Sequence, residues 1–529
     1  MKLLPIGIPT FSEIIENNYI YVDKTKEIYN MVNTGKIYFL SRPRRFGKSL
    51  LLSTLESLFK GEKELFNDLY ICDRWDWEQS YSVIHLDMTE VNSETVEKLK
   101  TTLKELINSI AIKNNIILKN TEYNTVFYEL IEKIHANTNK NVVILVDEYD
   151  APLIDNLTDE SLLDDVKDVM NSFYRILKSR NEILKFVFLT GVSKFSNVSV
   201  FSGINSPDDI SLNKDFATIC GYTQEELEDY FKEYINNLAF KLNSSFDECL
   251  EDIKVCYDGY SWDDEISLYN PYSTLKLFRQ KTFGNYWFST GTTSLLMKTI
   301  KSRSLNPDNI EGLFETSNLS ESDLMDFESV SDDITALLFQ TGYLTIAKIV
   351  EKRRSVSYFL DFPNMEVKTS FYENLLSVFT NYSKKNVRYL NKHLKNSLRE
   401  CDEDSMRKYL QLMISKISND RHIPQESFYQ DLFLVWLHGA GFEIQEEINT
   451  NIGILDGVIN LGDAVIVCEV KFSMEKSFDE LIADAFNQIY DKKYYMPYIN
   501  KKVFLLAIGV HGKEIDCRFK PLEEKYLLK

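Results

Sequence analysis

Three short groups of residues carry chemistry that can be read directly. The run Ser41-Arg42-Pro43-Arg44-Arg45-Phe46-Gly47-Lys48-Ser49 follows a strand-like segment and opens a helix-like one. Backbone N–H groups at such a helix start hold phosphate oxygens. There Lys48 would reach the β/γ-phosphates, Ser49 would hold Mg²⁺, and Gly47 would let the backbone approach closely. Arg45 is a candidate phosphate contact. The generic G-x-x-x-x-G-K-S/T loop begins with glycine, and Arg42 stands in that place. Without a nucleotide, the same loop reads as a basic helix cap. The second group is Asp147-Glu148, which ends the apolar run Val142–Val146. An aspartate there supports Mg²⁺, and a following glutamate polarises the attacking water. The rival reading is an acidic strand end facing solvent. Loop and strand end occur in the order that ATP hydrolysis requires. Thr190, ending Leu184–Leu189, is either a sensor for the γ-phosphate or a plain strand end.

The third group is Asp456, Glu469 and Lys471. Asp456 lies on the strand-like segment 453–459, the turn 461–463 reverses the chain, and 464–472 returns. That pairing brings Asp456 near Glu469, and residues two apart share one sheet face, so Glu469 and Lys471 project together. Carboxylates suit Mg²⁺ or Mn²⁺, and a lysine can orient water or offset charge on a phosphate in the transition state. Glu447, nine residues before Asp456, is a further candidate ligand, and Glu426 on the preceding helix is another. The bland reading is a hairpin with surface charges.

These groups need a scaffold. Lys36–Leu40, Ser82–Asp87, Val142–Val146 and Leu184–Leu189 read as strands, and Ser49–Phe59 as a helix with apolar residues at Leu51, Leu55, Leu58 and Phe59. Strands alternating with helices predict a parallel sheet covered on both faces. From Tyr222 the pattern turns helical, with Thr223 as N-cap and Glu226 closing a capping box. Ala336–Ile349 reads as helix, glycine turn and strand, and Glu373–Asn419 as helical. A small α/β domain with a last strand at Val503–Val510 follows.

The stretches LPIGIPTFSEIIENNYIYVDKT, RPRRFGKSLLLSTLESLF, VVILVDEYDAPL, FLTGVSKFSNVSVFSGIN, YDGYSW, YNPYSTL and LLFQTGYLTI span most of the chain. In them it resembles the bacterial AAA-ATPase-like proteins with a C-terminal PD-(D/E)XK nuclease domain. The family's own loop has the RPRRFGKS form. The resemblance implies an α/β chain with an N-terminal P-loop domain (1–230), a helical, winged-helix-like middle region (231–335), a helical connector (336–420) and a restriction-endonuclease-like domain (421–529). It implies ATP and Mg²⁺ or Mn²⁺ as cofactors. Gln488, Tyr494 and Tyr429 match the nuclease group's signature. Ile454 and Gln430 depart from it, replacing an arginine and a histidine.

Composition sets the limits. The chain has 529 residues and a net charge of -20, from 60 Lys and Arg against 80 Asp and Glu. A general nucleic-acid binder is basic, so a nucleic-acid partner, DNA in the first instance, must meet a local basic site. No run approaches the ~20 apolar residues of a membrane span. The seven cysteines are odd in number and form no C-x-x-C pair, which speaks against a disulfide framework or zinc ribbon. A cytoplasmic location is expected, and homo-oligomerisation stays open. The expected function is ATP hydrolysis gating metal-dependent phosphodiester cleavage, with Glu148, Asp456, Glu469 and Lys471 catalytic. The alternatives are a signalling or scaffold NTPase with a silent nuclease fold, and an ATPase acting on protein partners.

Overall fold

The computed structural model describes residues 1–157, 159–195, 207–287, 316–325, 334–417, 425–445 and 457–523. They divide into two compact units. The first takes in the described residues up to 287 and from 316 to 364, the second those from Met365 onward. Among the described residues, no helix is long and apolar enough to cross a membrane.

The first unit is built on five strands, β1 (Ile37–Ser41), β2 (Val83–Asp87), β3 (Val142–Asp147), β4 (Leu184–Gly191) and β5 (Asp208–Asp209). Their order is β2-β3-β4-β1-β5 and every pairing is parallel. All of β3 is buried, as a sheet covered on both faces requires. Register aligns Ser41 with Gly191 and Asp87 with Asp147. The loop after β1 and the acids ending β2 and β3 therefore open at one sheet edge. Ligands of open α/β sheets bind at this edge, outside the carboxyl ends of the strands. The phosphate-loop helix, Lys48–Lys60, buries Leu51, Leu52, Leu55, Leu58 and Phe59, and Gly61 at φ 78° ends it.

Beyond the sheet come the helices Gln224–Leu242, Phe246–Tyr257 and Pro271–Gln280. The expected Thr223–Glu226 capping box is present, and a second one joins Ser245 and Glu248. Leu4, Ile20 and Val22 from the start of the chain share one buried cluster with these helices. Helix Thr335–Thr341, Gly342 and the hairpin of β6 (Thr345–Lys352) and β7 (Ser355–Asp361) complete the unit. The helix, glycine turn and strand read in Ala336–Ile349 are thus what forms.

The second unit carries helices Met365–Thr380, Lys384–Glu400, Glu403–Ile414 and Glu426–Gly439. They accompany a sheet of β8 (Glu443–Gln445), β9 (Gly457–Asn460), β10 (Ala464–Phe472), β11 (Lys502–His511) and β12 (Glu514–Pro521), ordered β12-β11-β10-β9-β8. Strands β10 and β11 are parallel, joined through helix Phe478–Asp491, and the other pairings are antiparallel. Gly462 at φ 88° sits in the turn between β9 and β10. Strand β12 escaped the sequence reading. Its alternation of Ile515 and Cys517 with charged residues is short and follows directly on the β11 run.

Gly259, in YDGYSW, has φ 104°, and a Cβ there would lie 1.8 Å from the Pro363 carbonyl oxygen. Gly259→Ala is expected to lower the stability of the first unit by about 2–4 kcal/mol. A calorimetric melt unchanged from wild type would refute that close backbone approach.

Candidate functional site

The phosphate loop is shaped by its backbone and anchored from behind. Arg45 at φ 70° and Gly47 at φ 97° take left-handed conformations just before the helix. Glycine does so without steric cost, whereas arginine needs surrounding structure to hold it there. Arg42 points away from the mouth. Its guanidinium is fully buried, lies 4.0 Å from the centroid of Trp262, and donates to the Ser41 and Ser211 carbonyls at 2.9 and 2.8 Å. Burial pulls its pKa down to about 10. Phe46 packs edge-on to Tyr260 and Trp262, with ring centroids 4.7 and 5.5 Å away. Trp287 Nε1 donates to the Arg44 carbonyl at 3.0 Å, and a Cβ on Gly342 would collide with Pro43. The motifs YDGYSW and LLFQTGYL thus form the back wall of the loop, a role that sequence spacing does not reveal.

Lys48 is 3% exposed. Its Nζ donates to the carbonyls of Arg42 and Pro43 at 3.0 and 3.3 Å and stands 3.4 Å from Glu148 Oε1. The loop, Lys48 and the acidic strand end therefore meet, as their order suggested. Buried Asp147 accepts a 2.9 Å bond from the Thr190 hydroxyl. That bond holds the carboxylate in one rotamer, and β4 can supply it because β4 lies between β1 and β3. Glu148 has φ 48°, a strained position that aims its side chain back at the loop.

Asp150 was not singled out from sequence. It is fully buried, and its carboxylate accepts from the Val192 and Ser193 amides at 3.0 and 2.6 Å. Burial, with the Glu148 charge beside it, pushes its pKa up. A Cβ on Gly191 would come within 2.5 Å of Asp150 Oδ1, so glycine at the end of β4 makes room for this tether.

A cavity of about 470 Å³ opens over the loop, lined by Arg45, Gly47, Lys48, Ser49, Asp147 and Glu148 on one side. Pro5, Gly7, Ile8 and Pro9 of the chain start, with Tyr222, Tyr272 and Leu275, line the other. Its size is that of a nucleotide pocket. The lining fits a Mg²⁺-bound triphosphate. A lysine, a left-handed glycine at a helix start and hard oxygen donors converge, and apolar side chains remain for a base. Arg45 lies 5.3 Å from the Tyr272 ring centroid. Two further basic residues of this unit, Arg180 and Lys194, pair with Glu132 and Asp209 at 3.0 and 2.8 Å.

In the second unit, Glu469 and Lys471 sit on β10 as expected, with Lys471 Nζ 3.0 Å from Glu469 Oε1. Glu426, at the start of helix Glu426–Gly439, accepts from Lys471 Nζ at 2.7 Å and from the Phe472 amide at 3.2 Å. Burial lowers the lysine pKa, but the Glu426 bond and the Glu469 charge outweigh it and the net shift is upward. Glu469 is 0% exposed. Asp456 and Glu447 lie outside the described residues. The last described pair of the hairpin is Gly457 opposite Cys468. Among the described residues, no three metal-ligating side chains converge. Glu469 and Glu426 offer the hard oxygen donors that Mg²⁺ or Mn²⁺ prefers. Tyr429 donates to the Gly512 carbonyl and stacks on Phe472 with centroids 5.1 Å apart. Tyr494 is buried in the cluster that includes Val467 and Leu505, so its packing role is structural. Cys468 is buried as well.

The family model described as "Predicted AAA-ATPase" matches residues 5–201, and that of the PD-(D/E)XK nuclease superfamily matches residues 424–519. The chain is 34% identical over 476 residues, 89% of each protein, to a protein of Azotobacter chroococcum mcd 1 called "Uncharacterized protein in vnfD 5'region".

Arg42→Gly would restore the generic loop glycine. It is expected to weaken the protein by about 3 kcal/mol or more, because it strands the buried carbonyls of Ser41 and Ser211, and to weaken ATP binding with it. Denaturant melts and nucleotide titration check both effects, and tighter ATP binding in the variant would contradict this role.

Proposed function

The chain belongs to the predicted AAA-ATPases that carry a C-terminal domain of the PD-(D/E)XK nuclease superfamily, and on that premise we propose that it hydrolyses ATP and cleaves nucleic-acid phosphodiester bonds with Mg²⁺ or Mn²⁺. The observation that carries the reading is the meeting of Lys48 with Glu148 at the mouth of the loop. ATP binding would draw Lys48 from Glu148 and from its own loop carbonyls onto the β/γ-phosphates. The amides around Gly47 would hold phosphate oxygens, and Ser49 and Asp147 would hold the metal, Asp147 kept in place by Thr190. Glu148, released from Lys48, would then orient the attacking water. This exchange of partners gives nucleotide occupancy a physical consequence, which is the content of gating.

In the second unit, Glu469 with Asp456 and Glu447 would bind a divalent ion, whose chemistry is to neutralise the scissile phosphate and acidify water. Lys471, held by Glu426, stays cationic and would offset charge on that phosphate.

A second reading has its own support. Glu469 is fully buried and Lys471 is shared by two glutamates, as in a nuclease fold kept as a silent binding module of a scaffold NTPase.

Lys48→Ala is expected to abolish ATP binding. Glu148→Gln should keep binding and lose hydrolysis by about 100-fold or more. Cleavage of mixed DNA and RNA substrates, with Mg²⁺ or Mn²⁺ and with or without ATP, is expected for wild type and lost with EDTA, Glu469→Gln or Asp456→Ala. No cleavage under any condition, with ATP hydrolysis intact, would favour the silent module.

A further inference from the structure

Helix Lys384–Glu400 has the sequence KKNVRYLNKHLKNSLRE, in which six Lys and Arg and one Glu give a net +5. It belongs to a chain whose net charge is -20. Its apolar seam of Val387, Leu390, Leu394 and Leu398 is buried. Beside that seam Lys385, Arg388, Lys392 and Arg399 are exposed. Their spacings of three, four and seven residues lay them along one stripe of the helix. The stripe is crowded with like charge. Lys384 and Lys395 both have pKa values lowered by burial and then by the neighbouring Arg388 and Arg399. Such crowding costs free energy and is relieved by a polyanion. Arg388 pairs with Glu373 at 3.0 Å and is still 59% exposed.

An aromatic edge follows the stripe. Tyr389 is 57% exposed. His393 lies 4.4 Å from its ring and 4.7 Å from that of Tyr409. An exposed aromatic ring beside a basic track is a platform on which unpaired bases stack.

The helix is fixed within the second unit. Asn391 Nδ2 donates to the Gly439 carbonyl at 2.9 Å, and Lys395 Nζ donates to that of Ala440 at 3.1 Å. Both contacts lie at the far end of the 14-residue helix that begins with Glu426. At 1.5 Å per residue they stand about 20 Å along that helix from Glu426, roughly six nucleotide steps of a duplex.

We propose that the Lys385–Arg388–Lys392–Arg399 stripe is the nucleic-acid anchor of the second unit, holding the phosphate backbone of a strand that runs on to Glu469 and Lys471. The proposal rests on the nuclease reading for the fate of the strand. DNA and RNA share the backbone chemistry, and Tyr389 adds affinity for unpaired bases. An anchor this far from Lys471 acts on KM and leaves kcat unchanged.

The test is fluorescence anisotropy of the full chain with labelled duplex DNA, single-stranded DNA and single-stranded RNA, in EDTA, across a salt series. Wild type is expected to bind with a steep inverse salt dependence. The triple variant Lys385→Gln, Lys392→Gln, Arg399→Gln should bind about tenfold or more weakly at physiological salt and lose about 2–3 from the slope of log K against log salt. Unchanged circular dichroism and melting would show that it is folded. Tyr389→Ala should weaken single strands more than duplex. Glu469→Gln should keep wild-type affinity. A wild type that binds the probes in EDTA yet cleaves none of them once Mg²⁺ or Mn²⁺ is supplied would sink the nuclease reading and leave the anchor standing. Equal slopes in wild type and triple variant would overturn the anchor. So would a wild type that binds none of the three probes. Loss of self-association in the triple variant without loss of nucleic-acid binding would assign the stripe to an acidic protein surface instead.

Discussion

The guanidinium of Arg42 sets the form of the nucleotide-site candidate. A cation removed from water is costly unless its donors are met. Its Nη1 reaches the carbonyls of Ser41 and Ser211, and its plane lies over Trp262. The end of β1, the segment after β5 and the YDGYSW motif are thereby tied at one point. The loop from Pro43 to Gly47 is suspended from that point, with Phe46 buried against Tyr260 and Trp262 and the left-handed Arg45 and Gly47 exposing the mouth. A glycine in place of Arg42 would satisfy the generic motif and leave this protein's loop without its support.

Both candidate sites pair lysine with glutamate, and the pairings differ in kind. Among the described residues, Lys48 has one carboxylate within ion-pair distance, and its other partners are the carbonyls of its own loop. An anionic ligand can replace all of these at once. Among the described residues, Lys471 meets two carboxylates, one fully buried. Breaking a buried pair without replacing the lost partner costs about 3–5 kcal/mol, and both lysines stand in such pairs, so the sites differ in whether a ligand can replace the partner. The first site is thus built to exchange its partner and the second to keep it. Charge at the second site changes more readily by adding a cation or a phosphate than by moving the lysine. The basic stripe on helix Lys384–Glu400 gives the second unit a face that a polyanion can approach.

Much of the scaffold could be read from local pattern. The apolar run of β3 ended at Asp147 because a strand covered on both faces is apolar until it leaves the sheet. Thr223 and Glu226 announced a helix start because the box closes within one turn. Gly462 marked the turn between β9 and β10. The two-residue spacing of Glu469 and Lys471 placed them on one face. Periods of two and 3.6 and turn chemistry act over a few residues, and sequence records them directly.

What sequence by itself determined is therefore the parallel α/β scaffold of the first unit, the phosphate loop with its acidic strand end, and the Glu469–Lys471 pair. Only the tertiary structure decided where Arg42 points, that Trp262, Trp287 and Gly342 back the loop, that Thr190 holds Asp147, and that Glu426 shares Lys471. Arg42 and Trp262 are more than two hundred positions apart, and Glu426 and Lys471 are 45 apart. No local period links such pairs. They meet because hydrophobic burial packs whole elements together, and the buried polar groups must then find partners in the geometry that packing leaves.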